Sequence, residues 1–390
     1  MGEQFERGSK IRKGDLCVVI GAGRSGKAAV ALLLREGAKV RFLEKNPAAL
    51  REEEKKDLMA KGVELVFGDH KKDHFKGARF VIPSPGIPRA QIEPFLEDEA
   101  LRKGACEIMA EMELAWRYLN DEPVLAVTGT SGKTTTVSVA AAMLQAQGLS
   151  VFLGGNIGTP LSEYVLDERR ADVLVLEISS FQLQCCSTFA PRVAVMLNIS
   201  PNHLDYHKDM QEYTDAKFRL FRWQDENDLA VLGEDLQECA KAYGLRARKI
   251  FVSATDRFKD MLLLGRHNQF NCEAAWQACR FFGVSLANAT KAVARFSPLP
   301  NRLERVRDHK GVLYVNDSKC TTVSALEVAL RAFDRPIRLL CGGKFKGGDL
   351  KALAPLVQKK VREVALFGAS REIFEPAWKD IVPLSWHETL

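Results

Sequence analysis

The chain has 390 residues, more than a single hydrophobic core usually supports, so we expect about two or three domains. Hydrophobic residues make up 46% and charged residues 27% of the sequence, a balance typical of globular proteins, and no apolar run reaches the ~20 residues of a membrane-spanning helix. The net charge of +6, from 56 basic and 50 acidic residues, is too small to indicate a nucleic-acid partner. A polar N-terminal segment and nine cysteines without a disulfide-type spacing predict a cytoplasmic protein.

Short apolar strands alternate with helices along the chain, and this alternation restarts after polar breaks at 120–123 and 297–300. Near-continuous apolar runs in the middle of the chain are typical of parallel strands buried on both faces. The predicted strands are residues 16–20, 39–43, 63–67, 80–82, 124–127, 151–153, 173–177, 193–197, 312–315, 337–341 and 364–367. This pattern predicts an α/β fold with three consecutive domains, over residues 1–120, 121–297 and 298–390.

The first predicted strand leads into a glycine-rich loop, Gly21-Ala22-Gly23-Arg24-Ser25-Gly26, which precedes a helix predicted over 27–35. Glu44 ends the second strand, at about the distance where an acidic residue of dinucleotide-binding proteins meets a ribose. Because any diphosphate can use such a loop, three interpretations stay open. They are an NAD-dependent dehydrogenase, a site for another diphosphate, and a tight turn without a ligand.

A second glycine-rich loop, Thr128–Thr135, lies between the strand at 124–127 and a predicted helix. Backbone N–H groups of such a loop, with the positive end of the helix dipole, bind phosphate oxygens. Lys133 would reach the β- and γ-phosphates of ATP, and the Thr134 hydroxyl would bind Mg²⁺. Val127 stands where the general P-loop has glycine, which leaves a glycine turn capped by threonine as an alternative. The residues predicted to contact ATP here are Gly129, Thr130, Ser131, Gly132, Lys133, Thr134 and Thr135.

Two residues after later strands could bind a metal beside such a loop. Glu177 ends the strand at 173–177, where a carboxylate either binds Mg²⁺ or simply terminates a strand. His203 follows the next strand, a position that an ordinary loop histidine occupies more often than a metal ligand does. Both positions lie at the carboxyl ends of predicted parallel strands, the side of an α/β sheet that binds ligands.

Lys217 lies within an apolar stripe of a predicted helix, with Tyr213, Leu220 and Phe221 at spacings of three and four residues. Its ammonium group could extend to the surface from there, as long charged side chains often do. Alternatively, a carbamate formed on the lysine would supply an oxygen ligand to a metal ion. Periodicity does not distinguish these two possibilities.

Taken together, these segments closely resemble the Mur ligase family, whose members extend the stem peptide of peptidoglycan one residue at a time. The loop at 128–135 is similar to the family's T-G-T-x-G-K-T segment. Residues 198–203 and 213–217 are similar to the segments that carry its metal-binding histidine and its carbamylated lysine. The resemblance covers essentially the whole chain from Asp15 onward.

Further segments carry the same resemblance. Residues 264–271 resemble the family's adenine-binding H-N-x-x-N segment, and 299–304 its L-P-x-R-x-E segment. Residues 316–321 resemble its N-D-S-K-A-T segment, with Cys320 in place of the usual alanine. The patterns that resemble the D-glutamate-adding members in particular are residues 84–87, 154–158 and 317–319.

The resemblance implies an N-terminal Rossmann-like domain, a central P-loop ATPase-like domain with a parallel sheet, and a C-terminal Rossmann-like domain. It implies an enzyme that joins D-glutamate to UDP-N-acetylmuramoyl-L-alanine through an acyl phosphate, with ATP and two Mg²⁺ ions. We expect a monomer without a nucleic-acid or membrane partner. Family members continue beyond the position of Leu390 to a serine-bearing loop that holds the glutamate side chain. We therefore expect an incomplete third domain, and a chain that binds its substrates without turnover is an alternative.

The resemblance also implies the site residues. Those for the UDP substrate are Ser25, Glu44, Ser84, Gly86, Asn156, Ser179 and Gln182. Those added for ATP are Asn268, Arg302 and Asp317. Those for two Mg²⁺ ions are Thr134 with Glu177, and His203 with the carbamate on Lys217. Those for D-glutamate are Lys319, Thr321 and Lys346, with Lys344 as the alternative to Lys346, and the catalytic set is Lys133, His203, Lys217 and Lys319.

Two other enzyme classes explain less of the sequence. A dehydrogenase would use only the first domain and would leave the loop Thr128–Thr135 without a role. Folylpolyglutamate synthetase shares the architecture and also adds glutamate. It lacks the Gly154–Gly158 pattern and the fingerprint of the first domain, so the sequence favours the D-glutamate-adding ligase.

Overall fold

The computed structural model describes residues 8–96, 105–167, 169–204, 206–345, 347–369 and 371–389. The chain divides into two compact units, residues 1–252 with 274–286 and residues 253–273 with 287–390. Lys346, one of the residues predicted to contact D-glutamate, lies outside the described residues. No helix in the described ranges has both the length and the apolarity that crossing a membrane requires.

The first unit begins with a five-stranded parallel sheet in the strand order β3-β2-β1-β4-β5. Its strands are β1 (Leu16–Ile20), β2 (Lys39–Glu44), β3 (Glu64–Phe67), β4 (Phe80–Pro83) and β5 (Glu107–Ile108). Its helices are α1 (Arg24–Arg35), α2 (Glu52–Ala60) and α3 (Arg89–Ile92). Helix α1 buries Leu32 and Leu33, and it approaches β1 so closely that a Cβ on Gly26 would lie 2.0 Å from the Gly21 carbonyl oxygen. This is the Rossmann-like arrangement predicted from the glycine loop after β1.

A six-stranded parallel sheet follows in the same unit, in the order β11-β10-β9-β6-β8-β7. Its strands are β6 (Val124–Thr128), β7 (Val151–Gly155), β8 (Val173–Glu177), β9 (Val193–Met196), β10 (Leu229–Gly233) and β11 (Arg248–Val252). The helices of this region are α4 (Glu111–Trp116), α5 (Lys133–Ala146), α6 (Leu161–Leu166), α7 (Ser180–Gln184), α8 (Met210–Phe218) and α9 (Gln237–Ala242). Strands β6, β8 and β9 are buried throughout, which their apolar runs predicted. Strands β10 and β11 are additional to the prediction.

Helix α4 joins the two sheets and packs against α1 of the first and α6 of the second. Just after it, the Arg117 side chain is 1% exposed and donates hydrogen bonds to Glu107, Glu113 and the Ser9 carbonyl. Glu113 also accepts a hydrogen bond from the backbone N–H of Thr188 at 2.9 Å. A buried guanidinium needs such partners, because an unpaired buried charge costs about 3–5 kcal/mol. The network therefore fixes the edge of the first sheet against the loop that follows α7.

Glu111, at the start of α4, is a buried carboxyl group that accepts a hydrogen bond from the backbone N–H of Ser162 at 2.6 Å. Burial raises its pKa from 4.5 to about 7, and the nearby Glu163 acts in the same direction. The folded protein therefore favours the protonated carboxyl group. The stability that the protonated Glu111 carboxyl group contributes is complete below pH 4.5 and is lost as the pH rises through about 7.

We therefore expect Glu111→Gln to raise the free energy of unfolding at pH 8 by on the order of 3 kcal/mol, since one pKa unit corresponds to ~1.4 kcal/mol. The amide keeps an oxygen that accepts from Ser162 and does not ionise. Urea unfolding at pH 8 and at pH 4.5 measures the difference, which should approach zero at the lower pH. Glu226→Gln, at an exposed glutamate in the turn before β10, is the control. An equal difference at both pH values would contradict the titration of Glu111.

The second unit contains an antiparallel ribbon, β12-β13, and a three-stranded parallel sheet in the order β14-β15-β16. These strands are β12 (Glu304–His309), β13 (Val312–Asn316), β14 (Ile337–Gly342), β15 (Val361–Phe367) and β16 (Leu384–His387). The helices from residue 266 onward are α10 (Arg266–Cys279), α11 (Leu286–Arg295), α12 (Val323–Arg331), α13 (Ala354–Lys360) and α14 (Arg371–Trp378). Val357 and Trp378 are fully buried in its core. The predicted strands are confirmed, whereas β12 and β16 were missed because they lack an apolar run.

Candidate active site

The glycine-rich loop after β1 is held by side chains from two neighbouring strands. Glu44, at the end of β2, accepts hydrogen bonds from the backbone N–H groups of Ala22 at 2.7 Å and Asn46 at 2.9 Å. The Ser84 hydroxyl, just after β4, donates to the Gly21 carbonyl at 3.1 Å. Two predicted substrate residues, Glu44 and Ser84, therefore meet at the carboxyl edge of the first sheet. Both oxygens of Glu44 are engaged there by backbone N–H groups of the chain itself.

Two more predicted substrate residues, Ser25 and Gly86, lie at the same edge of the first sheet. Ser25 is in the first turn of α1, and Gly86 is exposed in the turn after β4. A small cleft opens beside this turn, lined by Ser84 on one side and by Phe181 and Gln182 of α7 on the other. Of the predicted substrate residues, Ser84 and Gln182 thus line this small cleft.

The remaining predicted substrate residues surround the end of β8. The backbone N–H of Gln182 donates to the Ser179 hydroxyl at 3.3 Å, and that of Ser179 donates to Gln182 Oε1 at 3.0 Å. This reciprocal pair caps the N-terminus of α7. Asn156 follows β7, and its side-chain amide donates to Glu177 Oε1 at 2.7 Å. The polar groups of Asn156, Ser179 and Gln182 are therefore fixed by contacts at this sheet edge.

The second glycine-rich loop connects β6 to the 14-residue helix α5. Gly132 is the N-cap of α5 and has a φ of +87°, a left-handed conformation that favours glycine. The backbone N–H of Thr130 donates to the Asn198 carbonyl at 3.0 Å, and that of Ser131 to the Asn198 side chain at 2.9 Å. The segment after β9 therefore braces the loop at a helix N-terminus, which is suited to binding an anion.

Thr134 and Glu177, predicted to share a Mg²⁺ ion, are in contact. Thr134 Oγ1 donates to Glu177 Oε2 at 2.7 Å. Glu177 is 2% exposed, and in the described part of the chain its side-chain hydrogen-bond partners are the uncharged Thr134 and Asn156. A buried carboxylate without a cationic partner, beside a hydroxyl, fits a hard divalent cation that prefers oxygen ligands.

Lys133 donates through Nζ to carbonyl groups of its own loop, those of Gly129 at 2.8 Å and Thr130 at 3.0 Å. Its side chain is partly exposed, and its stem is flexible. The ammonium group therefore lies within the phosphate-binding loop that was predicted for it.

Lys217, on α8, is 1% exposed and points into the protein. Its Nζ donates to the Gly129 carbonyl at 2.9 Å and to Thr128 Oγ1 at 3.4 Å, and it lies 4.7 Å from the centre of the Tyr213 ring. Burial holds the pKa of its ammonium group well below the usual range, and the charge of Lys133 acts in the same direction. The interpretation that Lys217 extends to the surface is therefore wrong. It lies beside the glycine loop, where its neutral form is favoured.

His203 follows β9 in an exposed segment and has a left-handed backbone, with a φ of +57°. This conformation costs a residue with a side chain about 1–2 kcal/mol, and such strain clusters at functional sites. Its carbonyl accepts hydrogen bonds from the backbone N–H groups of Tyr206 at 3.0 Å and His207 at 2.9 Å. Its ring packs edge-on against Phe181, with 4.8 Å between the centroids. His203 is therefore held in a defined turn beside α7.

In the second unit, the predicted segments 299–304 and 316–321 lie together. The Asn301 carbonyl accepts from the backbone N–H of Lys319 at 3.1 Å, and its side-chain oxygen accepts from the Asn316 amide at 2.9 Å. Asp317 Oδ1 accepts from the backbone N–H of Leu303 at 3.0 Å, and burial raises the pKa of its carboxyl group. These contacts position the turn that contains Arg302.

The other predicted residues of the second unit differ in exposure. Asn268 is buried, donates to the Leu264 carbonyl at 2.7 Å and accepts from the Asn271 side chain at 3.1 Å. Arg302 is exposed. The predicted D-glutamate residues with exposed side chains are Lys319, Thr321 and the alternative Lys344.

Among the described residues, no group of three or more histidine, cysteine, aspartate or glutamate side chains is arranged to hold a metal ion. The predicted donors are instead one hydroxyl, one carboxylate, one histidine and one modified lysine. Mg²⁺ prefers oxygen ligands, keeps several water or phosphate oxygens and needs few protein ligands, so the hydroxyl of Thr134 and the carboxylate of Glu177 fit it.

Two residues contribute to the site although they were not among the predicted site residues. Asn198 braces the glycine loop, and its place directly after the strand at 193–197 was the signal available for it. His207 is buried beside α7, with Nε2 2.9 Å from the Ser180 hydroxyl. No periodicity or motif singles out His207, because its partner lies 27 positions away in the chain.

Two family domains match the chain. The Mur ligase MurD-like N-terminal domain matches residues 15–105, and the Mur ligase middle domain matches residues 127–263. Among solved structures, MurF from Acinetobacter baumannii has a TM-score of 0.58 at 16% identity, covering 96% of this chain and 82% of that one. This likeness supports the multi-domain α/β fold.

Curated relatives match over nearly the whole chain. A UDP-N-acetylmuramoylalanine–D-glutamate ligase of Desulfovibrio desulfuricans is 64% identical over 392 residues, covering 100% of this chain and 89% of the relative. The ligase of the same name from Nitratidesulfovibrio vulgaris strain DP4 is 62% identical over 385 residues, covering 99% and 88%. With both family domains in order and this degree of identity, the chain belongs to the Mur ligase family.

Proposed function

We propose that this chain is an ATP-dependent ligase that joins D-glutamate to UDP-N-acetylmuramoyl-L-alanine in peptidoglycan synthesis, releasing ADP and phosphate. The observation that carries the proposal is the glycine loop Thr128–Thr135, whose Thr134 contacts the buried carboxylate of Glu177. The names of the two curated relatives support this choice of substrates.

A carboxylate is a poor electrophile at neutral pH, so the terminal carboxylate of the substrate must be activated. Its oxygen bonds to the γ-phosphorus of ATP while the bond from that phosphorus to the bridging oxygen breaks, giving an acyl phosphate and ADP. The amine of D-glutamate then attacks the acyl carbon, forms a tetrahedral intermediate, loses a proton and displaces phosphate. To catalyse phosphoryl transfer, the protein mainly has to position the reacting groups and neutralise the charge of the phosphates.

Charge neutralisation would come from the loop N–H groups, Lys133 and Arg302. Lys133 would exchange its present bonds to the Gly129 and Thr130 carbonyls for bonds to phosphate oxygens. This exchange needs only rotation of a flexible side chain. Other residues that would contact ATP are Asn268, at the adenine, and Asp317.

Thr134 and Glu177 would hold one Mg²⁺ ion, and His203 with a carbamate on Lys217 would hold the second. When bound, Mg²⁺ supplies positive charge to the transferring phosphoryl group. The contact between Thr134 and Glu177 supports the first set. The burial of Lys217 supports the carbamate, since the neutral amine is the form that reacts with carbon dioxide.

The residues that would bind the UDP part of the substrate are Ser25, Glu44, Ser84 and Gly86, with Glu44 acting through the loop that it holds. Those for its peptidyl end are Asn156, Ser179 and Gln182, and those for D-glutamate are Lys319, Thr321 and Lys346 or Lys344. Residues 1–120, 121–297 and 298–390 would form the UDP-substrate, ATP and amino-acid domains of a cytoplasmic monomer. The contacts of Glu44 and Ser84 with the glycine loop support the assignment of the UDP part to this sheet edge.

Phosphate release with UDP-N-acetylmuramoyl-L-alanine and a panel of amino acids tests the proposal. We expect D-glutamate to give a kcat/KM at least ~100-fold above those of L-alanine, L-lysine and diaminopimelate. L-Alanine and L-lysine lack the side-chain carboxylate that the site would pair, and diaminopimelate has a longer side chain with a second ammonium group. The D. desulfuricans relative is the positive control. A preference for diaminopimelate would contradict the substrate assignment. ATP binding without phosphate release from any amino acid would instead indicate a chain that only binds.

A further inference from the structure

His207 connects two segments that carry proposed metal residues. Its side chain is 1% exposed, and Nε2 lies 2.9 Å from the hydroxyl of Ser180, the first residue of α7. Ser180 is itself 2% exposed and lies three residues after Glu177 in the chain. This buried contact ties the turn after β9 to the end of β8.

His207 also contacts the turn that contains His203. Its backbone N–H donates to the His203 carbonyl at 2.9 Å and closes the turn in which His203 has a φ of +57°. Its ring stacks on Phe181 at 5.7 Å, and Phe181 meets the His203 ring edge-on at 4.8 Å. The Tyr213 ring of α8 lies 5.2 Å from the His207 ring. The imidazole of His207 is therefore the common neighbour of α7, α8 and the turn of His203.

We propose that His207 is a positioning residue that fixes the position of His203 relative to Glu177. His203 can then bind the second divalent cation while Glu177 binds the first. This inference rests on the two-cation site of the proposed function. A left-handed histidine returns to an ordinary backbone conformation when its turn is released, because β and right-handed α conformations are lower in energy. Loss of the contact between His207 and Ser180 therefore weakens the binding of the second cation and leaves that of the first unchanged.

Titration with Mn²⁺ in the presence of a non-hydrolysable ATP analogue tests this role, with free Mn²⁺ measured by electron paramagnetic resonance. We expect wild type to bind two ions. His207→Phe and Ser180→Ala should raise the second dissociation constant at least ~10-fold, as groups that orient metal ligands do, and leave the first within about twofold. His207→Gln, whose amide reaches the position of Nε2, should return the second constant to within about threefold of wild type.

Tyr164→Phe is the matched control, because it removes a buried hydroxyl that also makes hydrogen bonds in the first unit, on α6. Ser180→Ala removes a single hydroxyl group, so the test does not depend on the folding of the His207 variants. Two bound ions with an unchanged second constant in both His207→Phe and Ser180→Ala would overturn this inference alone. Fewer than two ions on wild type would overturn the two-cation site and this inference with it, and phosphate release would still test the ligase activity separately.

Discussion

Lys133→Ala is expected to lower kcat by roughly a thousandfold or more while the protein stays folded. The ammonium group would lie against the transferring phosphoryl group, where loss of one preorganised charge costs a factor of ~10³. The side chain is partly exposed, and its replacement leaves no buried charge unpaired. The free energy of unfolding should therefore change by less than ~1 kcal/mol.

Phosphate release and urea unfolding together measure this result. Lys249→Ala is the matched control, because Lys249 on β11 also donates through Nζ to a backbone carbonyl, that of Leu245 at 2.7 Å, at the far edge of the same sheet. Its activity should equal that of wild type. Unchanged phosphate release in Lys133→Ala would refute the assignment of the loop to ATP.

The second large effect is expected at Lys217. Lys217→Ala should lower kcat by ~100-fold or more, because it removes the carbamate that would hold the second Mg²⁺ ion. Added formate or acetate should restore part of the activity by supplying a carboxylate in the vacated space. Lys217→Met keeps the apolar stem and its packing but forms no carbamate. It should be as inactive as the alanine variant and should not respond to the acid, because its side chain fills that space.

A steady-state assay of both variants across a range of acid concentrations checks this expectation. Carbon-13 NMR with labelled bicarbonate should show a carbamate signal in wild type and none in Lys217→Met. If Lys217 served packing alone, the methionine variant would have nearly wild-type kcat, and acid would not affect the alanine variant. Full activity in Lys217→Ala would defeat the carbamate hypothesis.

The sequence by itself determined four of the six strands of the central sheet and the position of both glycine loops. The predicted strand 173–177 agrees with β8 residue for residue, because a strand covered on both faces requires an uninterrupted apolar run. The loop Thr128–Thr135 was recognisable because its glycines lie between a strand and a helix. Glycines at that place let backbone N–H groups face an anion. Each of these features depends on residues that are neighbours in the chain.

Only the tertiary structure decided what surrounds the candidate site residues. Periodicity allowed Lys217 to reach the surface, whereas the fold directs it to Gly129, 88 positions away. Spacing placed Glu44 where an acidic residue can meet a ribose, and the fold adds its contact with the loop backbone at Ala22. The contact of His207 with Ser180 has no counterpart in any local pattern. Such contacts depend on which strands lie side by side, here β6 between β8 and β9, and a pattern within one segment does not encode that order.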